Sequence, residues 1–339
     1  MGVDLGELFR RRRIELKEIS GRWIAVDAFN TLYQFLSIIR QQDGTPLMDS
    51  SGRVTSHLSG ILYRITNLME AGGKVAFVFD GLPPALKQET LAVRAEVREN
   101  AQTKWEEAQA VGEDGFKYAQ AASRLNEAII SDSKRLLQAM GVPVIQAPSE
   151  GEAQAAYMAM KRGVDFVGSQ DYDALLFGAP QVVRNLTITG KRKLPGKRVY
   201  VDVDPELISL QKELDNLGIN QMQLVDIGIL CGTDYHPGLA RVGAKTALKL
   251  IREHGSLEKV LQARGEQGAL SERFLEIREI FMNPEVTDDY QVKMNRPRTD
   301  EIISFLCQER DFSVERVKKA TDRLEESYDA GQSTLDRWL

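Results

Sequence analysis

Short apolar, β-branched runs alternate along this chain with longer stretches of helical periodicity, and the short runs end on acids. Residues 22–26 (RWIAV), 75–79, 142–145 and 164–168 have the length and side chains of buried strands. Asp27 and Asp80 stand at the ends of the first two. Glu150 and Glu152 lie just past the third, Asp171 and Asp173 just past the fourth. Between the last two runs an Ala- and Met-rich helix is expected, opened by Pro148 and Ser149 and closed near Gly163. Strand, crossover helix and strand imply parallel pairing. The pattern therefore predicts an α/β fold with a mostly parallel central sheet flanked by helices, whose chemistry collects outside the carboxyl ends of the strands. Local roles exist for single acids: Ser149-x-x-Glu152 has the form of a capping box, and Asp171 stands where it could cap a helix from Tyr172. They leave unexplained why four strands in turn deliver acids.

The remaining pattern is mainly helical. A helix over 28–40 places Tyr33 and Arg40 on roughly one face, a polar loop follows at 43–53, and a second helix covers 56–71. Pro83-Pro84 stops the second strand, and about sixty residues pass before the next, where a crossover needs on the order of a dozen. That excursion is helical in composition, broken at 112–115, with Lys87, Arg94 and Arg98 on one face. It reads either as a solvated hairpin or as a basic-lined lid over the acids. Beyond Gly178, residues 182–189 and 198–202 are expected to pair around the basic loop GKRKLPGK, and Asp204-Pro205 to start a helix. An apolar segment then ends on Asp234. Residues 238–261 suit two helices joined by a glycine-containing turn, with Lys245 and Lys249 beside backbone N–H groups that could meet a phosphate. This is not a P-loop, because Ala244 separates Gly243 from Lys245 and no strand precedes it. Residues 271–328 are expected to be mostly helical, and AGQSTLDRWL (330–339) to be a loose tail.

Composition changes this picture only where it bears on the acids. At 339 residues, 42% hydrophobic and 27% charged, the chain is an ordinary globular protein of one large domain or two. No apolar run approaches the ~18 residues of a membrane span, and the N-terminus lacks a signal-peptide core. Cys231 and Cys307 cannot form a metal site alone, and a reduced, intracellular chain is expected. The net charge of −5 argues against nucleic acid only if the acids are spread evenly. Bare carboxylates ~4 Å apart repel by about 4 kcal/mol at an effective dielectric of 20. Asp27, Asp80, Glu150, Glu152, Asp171, Asp173 and Asp234 at one sheet edge thus call for cations or shared protons. All-oxygen ligands select Mg²⁺ or Mn²⁺. A pair of such ions suits attack of water on a phosphodiester, and acids, basic lid and helix–Gly–helix turn together point to a nuclease.

At this point the sequence resembles the flap endonuclease family of structure-specific 5′ nucleases. The resemblance covers essentially the whole chain: MGVDLGELF, VDAFNTLYQF, TSHLSGILYR, FVFDGLPPALK, APSEGEAQAAY, GSQDYDALLFG, ILCGTDY, GLARVGAKTALKLI and QSTLDRWL. It implies a PIN-like 5′ nuclease fold with a helical arch insertion and a helix–turn–helix that binds duplex DNA. It implies hydrolysis at the base of 5′ flaps in replication and repair, with 5′–3′ exonuclease activity, on branched double-stranded DNA. Two Mg²⁺ ions, replaceable by Mn²⁺, would be held by Asp27, Asp80, Glu150 and Glu152 mainly on one side and Asp171, Asp173 and Asp234 on the other, Asp173 being counted as catalytic. Lys87 and Arg94 match arch residues that contact the scissile phosphate, and Tyr33 matches the aromatic that stacks on the displaced nucleotide. Arg40, Arg64, Gly232, Gly243 and Lys245 match DNA-contacting positions, and Glu150 and Asp234 would also face the DNA. Family members often hold K⁺ at the helix–turn–helix. Gln332, Leu335, Trp338 and Leu339 match a sliding-clamp motif that usually closes on two aromatics. The implied regions are 1–98 and 116–258 for the nuclease body, 99–115 for the arch connection, 259–329 for the C-terminal helices and 330–339 for the tail. The short tail looks archaeal, and the implied location is cytoplasmic, beside the nucleoid.

Three rival readings fit these residues less well. A haloacid dehalogenase-type phosphatase needs an acid where Phe29 stands. A single-domain PIN ribonuclease lacks the arch and the helix–turn–helix. A non-catalytic clamp adaptor predicts missing acids, and all seven are present.

Overall fold

The acid-tipped runs lie side by side in one sheet. The computed structural model describes residues 2–41, 43–111, 125–187, 190–193, 200–266 and 268–335. Its strands are β1 (Arg12–Arg13), β2 (Trp23–Asp27), β3 (Lys74–Phe79), β4 (Val144–Gln146), β5 (Phe166–Gly168), β6 (Gln181–Arg184), β7 (Gly190–Lys193), β8 (Tyr200–Val203) and β9 (Glu206–Ser209). The main sheet runs β1-β9-β6-β5-β2-β3-β4. Its five strands from β6 to β4 are parallel, and only β9 and β1 pair antiparallel at one edge. β2 and β3 are central and covered on both faces, which is why their sequences are apolar without alternation.

Two apolar layers sandwich this sheet. On one face the crossover helix Gly151–Met160 lies across β2, β3 and β5. Its buried Ala153, Ala155, Ala156 and Ala159 are small enough to bring the backbone close to the strands. On the other face Ala28, Leu32 and Phe35 of the helix Ala28–Ile38 pack with Leu58, Leu62, Leu136, Leu137, Val317 and Leu324. Side chains of one strand alternate between the layers, Ala76 and Val78 to the first, Val75, Phe77 and Phe79 to the second.

Several sequence expectations are corrected. Asp204-Pro205 does not open a helix: Glu206–Ser209 forms β9, and the helix begins only at Leu210. The exposed edge of β6 explains this, since four residues in register there satisfy backbone groups that a helix would leave unpaired. The expected hairpin is likewise divided, with β6 taking β9 as partner while β7 and β8 make a separate two-stranded ribbon. The centre of the basic loop lies outside the described residues, as does the break at 112–115. The helix over 56–71 contains a π-helical stretch, Ile61–Ile65. Residues 271–328 are not continuously helical, because an extended strap follows Ala269–Met282 and ends at Thr299–Ile303. Pro284 and Pro297 keep it out of helix, and Gln154 ties it down by donating to Thr287 O (2.9 Å) and accepting its N–H (2.8 Å). Positions 98 and 258, where the implied regions meet, fall inside the helices Gln88–Val111 and Leu257–Arg264. The tail is not loose from residue 330, since the last helix is Val314–Leu335. Trp338 and Leu339 lie outside the described residues. Among the described residues no helix is long and apolar enough to cross a membrane.

Candidate active site

Each acid is placed by the end of a strand or the start of a helix. Asp27 closes β2 and caps the helix Ala28–Ile38, its Oδ1 accepting the Asn30 N–H (3.1 Å). Asp80 follows β3, and its Oδ1 accepts the N–H of Gly151 (2.9 Å). A Cβ on Gly151 would lie 2.5 Å from that oxygen, so the approach needs glycine. The capping box anticipated at Ser149 and Glu152 does not form: the Ser149 hydroxyl donates to Leu82 O (3.0 Å), and Glu152 Oε1 accepts from the Ser169 hydroxyl (2.6 Å). Nor does Asp171 cap a helix, for its Oδ2 accepts from Asn30 Nδ2 (3.0 Å). Glu152 and Asp171 are thus held by Ser169 and Asn30 rather than used as local caps.

The seven carboxylates form one electrostatic group. Burial, then Asp80 and Asp171, push Asp27 well above the usual carboxylate range. Burial, then Asp173, Asp27 and Asp171, do the same to Glu152. Asp80 is raised to about 6 by burial and by Glu150. Asp173 is raised to about 7 by burial and by Asp234 and Asp171. Lys87 is pulled down by burial but held above its usual value by Glu150 and Asp234.

That lysine comes from the arch. Lys87 Nζ lies 2.6 Å from Glu150 Oε2 and 3.5 Å from Asp234 Oδ2. Arg94, two turns further along Gln88–Val111, grips both oxygens of Asp234. The described part of the excursion therefore brings basic residues onto the acids. Arg98 lies 5.0 Å over the Tyr33 ring, which puts that tyrosine under the same helix.

The other singled-out positions lie elsewhere. Arg40 braces its own loop through Leu36 O (2.8 Å) and Gly44 O (2.7 Å), and Arg64 donates to Thr187 O (2.7 Å). Gly232, at φ +105°, makes the turn after the helix Gln221–Cys231. Gly243 caps Ala244–His254 with open space around it, and the exposed Lys245 pairs with Glu7 (3.2 Å).

The N-terminal segment also reaches the site, a contact that no sequence motif assigns to it. Val3 N–H donates to Asp173 Oδ1 (2.8 Å), and a Cβ on Gly2 would come within 2.6 Å of Asp173 Oδ2. Buried Val3, Leu5, Leu8 and Phe9 anchor this segment. Their apolar pattern within MGVDLGELF is the signal that could have revealed it. Asn30 and Ser169 were also missed, since one amide or hydroxyl near an acid carries no distinctive spacing.

The donors fit a hard divalent cation. They are all oxygens, and Glu150 Oε1 is buried without a hydrogen-bond partner. Among the described residues no three of them stand close enough to share one ion, and Lys87 and Arg94 place positive charge against Glu150 and Asp234.

A buried carboxylate cluster at the C-terminal edge of a parallel sheet, under a basic arch, defines a metal-dependent nuclease. The comparisons narrow this. The XPG N-terminal domain matches residues 5–101 and the XPG I-region residues 141–234. The chain is 63% identical to flap endonuclease 1 of Methanothrix thermoacetophila and 57% identical to that of Methanosarcina acetivorans, covering 100% of this chain and of each relative. It superposes on flap endonuclease-1 from Methanococcus jannaschii with a TM-score of 0.77 at 40% identity, covering 96% of this chain and 98% of that one. The chain belongs to the flap endonuclease family, whose nucleases use divalent metal.

The raised carboxylates make a stability prediction. Asp80 and Asp173 bind protons more tightly in the folded chain than at the ordinary aspartate value of 3.8. Their contribution is full below about pH 4 and is lost as pH rises through about 6 and 7. In EDTA the thermal midpoint is expected to fall between pH 5 and pH 8, and Mg²⁺ at pH 8 to restore it by binding the folded state. A midpoint insensitive to both pH and Mg²⁺ would contradict the cluster.

Proposed function

We propose that this chain is a structure-specific 5′ flap endonuclease, with 5′–3′ exonuclease activity, that acts at the base of 5′ flaps during replication and repair. The observation that carries the reading is the set of seven converging carboxylates beneath Lys87 and Arg94. Two Mg²⁺ ions, with Mn²⁺ able to substitute, would be held by these acids and supply a nucleophilic hydroxide and charge neutralisation on the phosphate. Lys87 and Arg94 exchange Glu150 and Asp234 for the scissile phosphate, donating hydrogen bonds where negative charge develops. Tyr33 offers its ring to the displaced nucleotide. Gly243 and Lys245, at the start of Ala244–His254, hold the duplex by its phosphates, with K⁺ at the neighbouring turn. Arg40, Arg64 and Gly232 contribute further contacts to the backbone of the DNA. A double-flap DNA labelled on its 5′ strand tests this: Mg²⁺ is expected to release the flap, while Ca²⁺ or EDTA is not. Equal cutting of unbranched single-stranded RNA would favour a ribonuclease instead.

The tail, Gln332, Leu335, Trp338 and Leu339, is read as a sliding-clamp motif, which places the protein at replicating DNA in the cytoplasm. An aromatic anchor in a preformed pocket is commonly worth ~2 kcal/mol or more, and tethering raises local enzyme concentration without new contacts at the site. The cut removes residues 331–339, beginning at Gly331, which is exposed with open space around it. The truncated protein is expected to cut free flap DNA as before and to lose stimulation by the clamp. A joint fall in melting temperature and basal activity would assign the tail to the fold.

A further inference from the structure

Asn30 sits on the first turn of Ala28–Ile38 and spans the ends of two strands. Its backbone N–H donates to Asp27 Oδ1 (3.1 Å), its Nδ2 donates to Asp171 Oδ2 (3.0 Å), and its Oδ1 accepts the N–H of Gln170 (3.3 Å). Asp27 ends β2 and Asp171 follows β5, which are parallel neighbours. The two carboxylates repel, and Asp171 is among the charges that raise Asp27. The loop carrying Asp171 is fixed on its other side by Arg184, which donates to Gln170 O (3.0 Å) and to the Tyr172 hydroxyl (2.6 Å). The backbone of Asp171 is held as well, its N–H donating to the Ser169 hydroxyl (3.2 Å). Those bonds hold the loop; among the described residues, the bond from Asn30 is the one that reaches the carboxylate.

We infer that Asn30 is a positioning residue of the cleavage site: its backbone N–H holds Asp27, and its neutral side-chain amide orients the carboxylate of Asp171 beside it, so that both acids can serve a divalent cation. The inference rests on the nuclease reading above. The residue type fits the task, since an amide supplies donors and an acceptor without charge. A leucine would supply neither, and an aspartate would add a third negative charge between the other two. Partners that orient ligating carboxylates typically control metal affinity or activity by 10–100-fold.

Calorimetric titration with Mn²⁺ of wild type, Asn30→Ala and Asn30→Asp reads this without relying on turnover. Asn30→Ala is expected to weaken Mn²⁺ binding by about tenfold or more. Cleavage of the double-flap DNA should fall at limiting Mn²⁺ and largely recover at saturation, with affinity for DNA in Ca²⁺ unchanged. Asn30→Asp, nearly identical in shape, is expected to be worse than alanine. Wild-type Mn²⁺ affinity in Asn30→Ala overturns the assignment, and so does an aspartate variant milder than alanine, the order that shape alone would give. Wild-type protein that binds no Mn²⁺ removes the nuclease reading itself, and this inference with it.

Discussion

Asp173→Asn is expected to abolish flap cleavage while leaving DNA binding largely intact. Asp173 is buried at the end of the segment after β5, with its Oδ1 on the Val3 N–H and its charge opposed by Asp234 and Asp171. An amide keeps the shape and the bond from Val3 but removes one negative charge that a cation needs. The same change relieves repulsion in the metal-free protein. Its thermal midpoint in EDTA should therefore rise at pH 8, by about 2–4 °C for each kcal/mol relieved. Near pH 4 the gain should vanish, because Asp173 is already protonated there in the folded wild type. Single-turnover cleavage and a melt at the two pH values check both halves. A variant that still cuts at near wild-type rate would sink the role given to Asp173.

The second large effect belongs to the arch. Lys87→Ala is expected to lower single-turnover cleavage by ~10²–10³, the usual loss when a donor to developing charge is removed, with far less change in DNA affinity. In the free protein Lys87 and Arg94 are engaged with Glu150 and Asp234 and are largely buried. Lys87 reaches the acids from just before the helix Gln88–Val111, and Arg94 from within it. Arg94→Ala should act in the same direction, and the pair should be less than additive because both answer to Asp234. Loss of affinity without loss of rate would make them ordinary phosphate contacts. The clamp-adaptor reading makes the opposite forecast, since it expects neither variant to change a rate.

How much of this was legible beforehand depends on the range of the interaction. The parallel sheet was legible because β2 and β3 are buried on both faces and so are continuously apolar, and β-strand ends are where acids gather. The seven acids were legible for the same reason: each follows a recognisable run by a few residues. The edge was misread because Glu206–Ser209 is a strand only through β6, whose free edge lies over twenty residues back in the chain. The strap after Met282 was misread because Gln154, far upstream, holds its backbone.

The sequence by itself determined the strand cores, the acids beyond them, the basic face of the arch and the family, since all of these depend on side-chain type and short spacing. Tertiary structure alone decided which acids share which neighbours, and that Lys87 and Arg94 close onto Glu150 and Asp234. It also decided that Asn30 bridges Asp27 to Asp171 and that Gly2 and Val3 shape the seat of Asp173. These bonds join residues up to 170 positions apart. They exist because the parallel strands of one open sheet bring their carboxyl ends together, where burial strengthens each charge–charge contact and makes every neighbour count.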